Sequence, residues 1–269
     1  MNWTPEAEAA IKKVPFFVRK RVKSRVEKEA AEQGKSVITL VEVKSTQQKF
    51  LTGMSKEVKG YQLDACFGQS GCPNRAVIDD KLLPALESML QKENLLDFLK
   101  KNVKGELKFH HEFRVTLADC PNACSQPQIK DVGIIGAVFP VLTEEICTQC
   151  DTCVASCKEE AIHLDPADIR PIVAADHCIA CGQCVRACPT GTLAAGKEGY
   201  RIQLGGKLGR RPRLARELPG IYNMTTVLDI VQSCIAVYKE RSRDGERFAD
   251  LMTPSLFQSI AAQYRNHKL

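Results

Sequence analysis

Thirteen cysteines in 269 residues define the chemistry open to this chain. Their spacing sorts them into Cys66 and Cys72, then Cys120 and Cys124, then Cys147, Cys150, Cys153 and Cys157, then Cys178, Cys181, Cys184 and Cys188, with Cys234 apart. The sequence opens Trp3-Thr4-Pro5-Glu6 without an apolar signal-peptide core, so the expected location is cytoplasmic and the thiols are expected to stay reduced. Reduced thiols in such numbers serve metal or redox chemistry rather than a disulfide scaffold. Three sets of four with one remainder is the arithmetic of three [4Fe-4S] clusters.

Local sequence says how these thiols are held. Between Cys120 and Cys124, Pro121 fixes its own φ and lacks a donor, while Asn122 tolerates turn geometry, so the pair lies on a tight bend. The segment Leu107–Leu117 alternates apolar and polar residues, the period of a strand that delivers the bend at its end. Gly68, Ser70 and Gly71 separate Cys66 from Cys72, which permits a compact loop whose amides approach sulfur. Val132–Val141 reads as a buried strand, and Leu82, Leu83, Leu86 and Leu90 form a helical stripe begun by Asp79 or Asp80. Residues 1–34 read as two helices: Thr4 and Pro5 start the first, Pro15 breaks it, and Val18, Val22, Val26 and Ala30 stripe the second. Val37–Val43 is β-branched and is expected as a strand. From Thr225 onward an apolar helical stripe carries Cys234, which is read as a core residue, and residues 247–263 are read as further helix.

Composition is that of a globular protein, 44% hydrophobic and 26% charged. The longest apolar run is broken by Gly133, Gly136 and Pro140 and is too short to span a bilayer. The net charge of +6 is modest, and no nucleic-acid motif accompanies the basic runs, so neither a membrane span nor a nucleic-acid partner is expected.

The Cys-x2-Cys-x2-Cys-x3-Cys run, present from Cys147 and from Cys178, resembles two-cluster bacterial ferredoxins. In those proteins the fourth cysteine of each run serves the other cluster. The resemblance groups Cys147, Cys150, Cys153 and Cys188 at one [4Fe-4S] cluster, and Cys178, Cys181, Cys184 and Cys157 at a second. Lys158, where the ferredoxins have proline, is a departure that removes no ligand. Zinc is the competing occupant, and the tandem spacing favours clusters over it.

Cys66-x5-Cys72-Pro73 followed by Cys120-Pro121-Asn122-x-Cys124, then Pro127, Asp131, Gly133 and Gly136, resembles the cluster and sirohaem motif of sulfite and nitrite reductases. Gly205-Gly206-Lys207-Leu208-Gly209-Arg210 and Gly245-Glu246-Arg247-Phe248 resemble the closing part of that domain. The resemblance implies that Cys66, Cys72, Cys120 and Cys124 hold a third [4Fe-4S] cluster, with Cys124 bridging it to a sirohaem. It also implies that Lys207, Arg210, Arg211 and Arg213 face the carboxylates of that haem. Trp3–Ala9, Val14–Arg19, Glu27-Lys28 and Gly34 resemble the small C-terminal domain of light-independent protochlorophyllide reductase.

The expected fold is α+β: a small helical domain over 1–50, and a sulfite reductase-like α/β domain over 51–143 and 196–269. A two-cluster ferredoxin-like domain is inserted at 144–195. Two functions follow from the resemblances. One is anaerobic reduction of sulfite or nitrite at a sirohaem fed by the insert. The other is an electron-transfer chain without sirohaem that relays electrons to a partner enzyme. The half of the family that normally precedes the first cysteine pair, and supplies part of the substrate pocket, has no match here. No catalytic residue is therefore assigned, and an electron donor protein and a homo- or hetero-oligomeric partner are expected.

Overall fold

The computed structural model describes residues 1–14, 16–164, 170–267 and 269. It divides into two units, Met1–Val58 with Lys104–His110, and Lys59–Val103 with His111–Leu269.

The first unit contains β1 (Asn2–Trp3), α1 (Pro5–Lys12), α2 (Phe16–Glu32), β2 (Val37–Ile38) and α3 (Leu40–Glu57). Thr4 caps α1 by accepting the Ala7 amide at 3.4 Å, and Pro5 stands in its first turn. Val26 and Ala30 of α2 are buried against Ala7, Ile11, Ile38 and Val43. Pro15, the expected helix breaker, lies outside the described residues. The strand expected over Val37–Val43 is corrected to Val37–Ile38, paired in parallel with Asn2–Trp3. The reason is a capping box. Thr39 Oγ1 accepts the Val41 amide at 3.2 Å, and Glu42 accepts the Thr39 amide at 2.8 Å, which turns the chain into α3 against its β propensity. The domain edge expected at residue 50 falls inside that helix, and the first unit runs on to Val58.

The second unit is mixed α/β. Its elements are β3 (Tyr61–Ala65), α4 (Leu82–Lys92), α5 (Leu95–Asn102), β4 (Phe113–Ala118), β5 (Val132–Leu142), α6 (Thr152–Ser156), β6 (Ile162–Leu164) and β7 (Pro171–Val173). They continue with α7 (Gln183–Ala187), β8 (Leu193–Leu204), β9 (Arg216–Glu217), α8 (Met224–Arg241), α9 (Phe248–Leu251) and α10 (Pro254–Gln263). A five-stranded sheet runs in the order β3-β4-β5-β8-β9. The first three strands are parallel, and β8 and β9 each run antiparallel to their inner neighbour.

The strand expected from Leu107 is shorter. Phe109–His111 form a 3₁₀ turn and β4 begins at Phe113. Its partner β3 begins at Tyr61, opposite Phe113, so no ladder exists to extend β4 backwards. On α4, Leu82, Leu86 and Leu90 are buried and Leu83 is half-buried. Lys81 occupies the N-cap, in place of the expected Asp79 or Asp80; Asp79 accepts the Lys81 amide at 2.9 Å instead. Phe113 packs at 5.5 Å from Tyr238 of α8 and 5.3 Å from Phe248 of α9, and Tyr238 at 5.3 Å from Phe98 of α5. This aromatic cluster fixes the helices on the sheet.

Two connections matter for the site. Parallel strands need a long crossover, and between β4 and β5 it is residues 119–131, which hold the Cys120–Cys124 bend. β5 and β8 then form a long hairpin, Val132 opposite Leu204 and Leu142 opposite Leu193, with a bulge at Phe139/Pro140. The described residues between 143 and 192 connect its two strands at the far end. Because β5 is parallel to β4, that end is also where the Cys120 bend lies. Among the described residues no helix is long and apolar enough to cross a membrane.

Candidate metal centres

β3 ends at Ala65 and β4 at Ala118, so Cys66 and Asp119-Cys120 leave the carboxyl ends of two adjacent parallel strands. That edge of an open α/β sheet is where ligands are commonly held. Cys66, Cys72, Cys120 and Cys124 line one recess there, with Asn74, Asn122, Arg75 and Asp119. Cys147, Cys150, Cys153 and Cys188 line a second, and Cys157, Cys178, Cys181 and Cys184 a third. Each recess presents four thiols, and an equal donor count suits one kind of occupant.

The backbone is bent to present these thiols. Gln149 and Asp151 in the first tandem run, and Ala180 and Gly182 at the same positions of the second, have left-handed φ values of 54°, 56°, 56° and 68°. Ala123 and Gln126 do the same after Cys120, at 54° and 58°. Side chains other than glycine adopt this region at a cost of order 1–3 kcal/mol, and such residues gather where function demands the geometry. The bends turn amides toward sulfur. Asp119 N–H donates to Cys66 Sγ at 3.3 Å, Gln149 to Cys147 at 3.4 Å, Ala161 to Cys157 at 3.3 Å and Leu193 to Cys188 at 3.5 Å. Gly68 and Gly136 are needed for closeness. A Cβ on Gly68 would stand 2.1 Å from Asp119 Oδ2, and one on Gly136 2.4 Å from the Asp119 carbonyl oxygen.

Electrostatics groups the thiols in the same way. Burial pushes the Cys120 thiol up, and the neighbouring Cys66, Cys72 and Cys124 add to it. Burial raises Cys184 to about 11, with Cys181, Cys178 and Cys157 contributing. Cys153 is raised by burial and by Cys188 and Cys147. Four thiols that oppose one another's ionisation fit a site in which a cationic metal core neutralises them. Four thiols gathered in one recess are a donor set that suits an iron–sulfur cubane, which carries its own sulfide.

Several residues outside the cysteine sets hold this edge together. Arg75 Nε stands 2.8 Å from Asp119 Oδ2, and its Nη2 donates to Asp80 at 2.6 Å. Arg201 makes a bidentate pair with Glu217 at 2.7 and 2.8 Å and donates to the Ile179 carbonyl at 2.9 Å, fixing the turn between Cys178 and Cys181. Asp131 is buried and accepts the Arg114 amide at 3.0 Å and the Ala249 amide at 3.1 Å. A signal for Asn74 was present: Cys-Pro-Asn occurs at 72–74 and again at 120–122, and both asparagines line the recess.

The basic hairpin is tied down on both sides. Lys207 and Arg213 pair across it, amide to carbonyl, at 2.9 Å in both directions. Lys207 Nζ is paired with Asp250, and Arg213 donates to the carbonyls of Gly205 and Ala249. Arg210 and Arg211 are exposed on the turn between them. Gly206 N–H donates to the Lys130 carbonyl and Ala215 N–H to the Gln128 carbonyl, both at 2.8 Å, which sets the hairpin against the stretch that follows Cys124.

The family model for the nitrite and sulphite reductase 4Fe-4S domain matches residues 64–255, well over half of the chain. The chain belongs to that family. Coenzyme F420-dependent sulfite reductase of Methanocaldococcus jannaschii is 31% identical over 140 residues, covering 51% of this chain and 22% of that protein. The chain thus spans about a fifth of this curated relative. A second model, the proto-chlorophyllide reductase 57 kD subunit, matches residues 3–46. The light-independent protochlorophyllide reductase of Roseiflexus castenholzii has a chain 58% identical over 45 residues, 16% of this chain and 8% of that one. A crystal structure of dissimilatory sulfite reductase I superposes with a TM-score of 0.49 at 13% identity, covering 80% of this chain and 57% of that one. Membership of the nitrite and sulphite reductase 4Fe-4S family makes this an iron–sulfur chain of an oxidoreductase family.

Proposed function

We propose that the chain carries three [4Fe-4S] clusters and delivers electrons, in the cytoplasm of an anaerobe, to a sirohaem at which sulfite or nitrite is reduced. Cys66, Cys72, Cys120 and Cys124 hold the cluster of the sheet edge. Cys147, Cys150, Cys153 and Cys188, and Cys157, Cys178, Cys181 and Cys184, hold those of the insert. The observation that carries the reading is the common end of the sheet: β5 runs parallel to β4, so the hairpin brings the insert to the edge where Cys66 and Cys120 emerge. When bound, the haem would supply the iron at which the substrate anion is reduced. Cys124 is the one exposed member of its set of four, and is therefore the thiolate able to reach a group beyond the recess.

The chain's own residues bind and orient. The Asp119 amide steadies Cys66, and the Lys207–Arg213 hairpin, leaning on residues 128–130, presents Arg210 and Arg211 as cations for carboxylates. The remaining basic groups of the substrate pocket lie outside these 269 residues, and an electron donor protein loads the insert.

A second reading is favoured by the hairpin itself. Lys207 and Arg213 are already engaged with Asp250, Gly205 and Ala249, which leaves two of the four expected cations for a haem. In that reading the chain relays electrons to a partner enzyme and binds no sirohaem.

One experiment separates the readings. Protein isolated without oxygen is assayed for iron and its optical spectrum is recorded. Sirohaem adds Soret and red-region bands to the broad iron–sulfur absorption. About twelve irons with those bands support the first reading, and about twelve irons without them support the relay.

A further inference from the structure

Helix α7 joins the walls of two recesses. Gln183 lines the recess of Cys157, Cys178, Cys181 and Cys184, and its Nε2 donates to Asn74 Oδ1 at 3.2 Å. Asn74 lines the recess of Cys66, Cys72, Cys120 and Cys124. One helical turn on, Arg186 Nη1 donates to the Arg75 carbonyl at 3.0 Å, and its Nη2 to the Cys181 carbonyl at 3.4 Å. Arg75 is wall of one recess and Cys181 is a thiol of the other.

The approach is held by β5 as well. Val138 N–H donates to the Ala180 carbonyl at 2.7 Å. Gly182 sits so near that strand that a Cβ there would lie 2.9 Å from the Val138 side chain. The connection to the remaining recess is covalent: α6 runs between Cys153 and Cys157, and α7 between Cys184 and Cys188, each helix linking both recesses of the insert. The Cys157–Cys184 set is therefore the middle one of the three, joined to each of the other two.

We infer that Gln183 and Arg186 form the electron crossing between the middle recess and the sheet-edge recess, with Arg186 as its positioning residue. The inference rests on the reading of the recesses as cluster sites. In the crossing, one electron leaves the group held by Cys157, Cys178, Cys181 and Cys184, which is oxidised. The same electron enters the group held by Cys66, Cys72, Cys120 and Cys124, which is reduced. No bond is made or broken and no proton moves. Two hydrogen-bonded links replace a jump through solvent, and electron transfer falls steeply with unbonded gaps. The order is also determined: the donor loads the Cys147 side first, and the sheet edge receives last.

The test uses the anaerobically isolated full chain, with iron counted, reduced by a light-activated flavin and followed by freeze-quench paramagnetic resonance. Q183A/R186A is expected to hold about twelve irons, yet to fill the sheet-edge cluster about tenfold more slowly than wild type after correction for the cluster potentials measured in each protein. The double variant keeps the Val138–Ala180 bond, so the insert stays docked. R186K, which retains one donor and the charge, is expected to recover most of the rate. An unchanged rate at full iron overturns the crossing and leaves the cluster reading standing. A wild-type chain with about four irons or fewer overturns the cluster reading, and the crossing with it.

Discussion

The amide of Asp119 donates to Cys66 Sγ across 3.3 Å, tying the first thiol of one loop to the residue just ahead of the first thiol of the other. The carbonyl of Asp119 lies where a Cβ on Gly136 would stand, 2.4 Å away. Gly136→Ala must therefore push Asp119 and the Cys120 bend off β5. Iron is expected to fall from about twelve to about eight, with the insert's share intact. Iron and labile sulfide assays check this, and retention of about twelve irons would show that the bend tolerates the shift.

Arg75 and Asp119 are both largely shielded, with side chains 12% and 6% exposed, and stand 2.8 Å apart. Removing one partner of such a pair leaves the other charge buried, at a cost of about 3 kcal/mol or more. Arg75→Met is expected to lower anaerobic urea stability by about that amount, and Arg75→Met with Asp119→Asn to recover part of it. A double-mutant cycle reads the coupling directly.

Stripping the iron exposes differences among the thiols. Hydrogen bonds from Thr152, at 3.3 Å from its hydroxyl, lower the Cys150 thiol, while burial holds Cys184 at about 11. The thiolate is the nucleophile, so chelated protein is expected to alkylate at Cys150 well before Cys184 at about pH 8. Thr152→Val is expected to slow Cys150 alone. Peptide mass spectrometry over a time course measures both.

In the first unit, the Glu42 carboxylate is lowered to about 2 by Lys35 Nζ at 2.5 Å and by the Thr39 hydroxyl and amide. A folded value below the unfolded 4.5 means the stabilisation is present above that value and is lost as pH falls toward 2. Protection factors of α3 amides, corrected for the intrinsic exchange rate, are expected to fall over that window. Glu42→Gln is expected to be less protected at neutral pH and flatter with pH.

Cys234 is fully buried on α8 among Val231, Ile235 and Tyr238. Burial raises its thiol strongly. Cys234→Ala is expected to keep the full iron content and to cost about 1 kcal/mol in lost packing. Loss of four irons would make it a ligand.

Much of this architecture was legible because its signals are local. Pro121 and Asn122 announce a bend, the doubled Cys-x2-Cys-x2-Cys-x3-Cys run announces paired sites, and the apolar stripe of Val227, Ile230, Val231 and Cys234 announces a buried helix face. Where local signals competed, the sequence misled. The run Val37–Val43 has strand propensity, but the Thr39–Glu42 capping box prevailed because it satisfies amides that a two-residue strand leaves open. The alternation from Leu107 has strand period, but β3 offers no partner before Phe113.

The order of residues along the chain was enough to specify the donors: how many thiols there are, how they group, and which turns present them. Which walls touch was settled by tertiary packing alone. That β5 lies parallel to β4 and that its hairpin carries the insert to the same edge are matters of strand pairing, and Gln183 meets Asn74 and Arg186 meets Arg75 across 109 and 111 residues of chain. Such contacts depend on strand order and register, which no spacing of residues along the chain encodes.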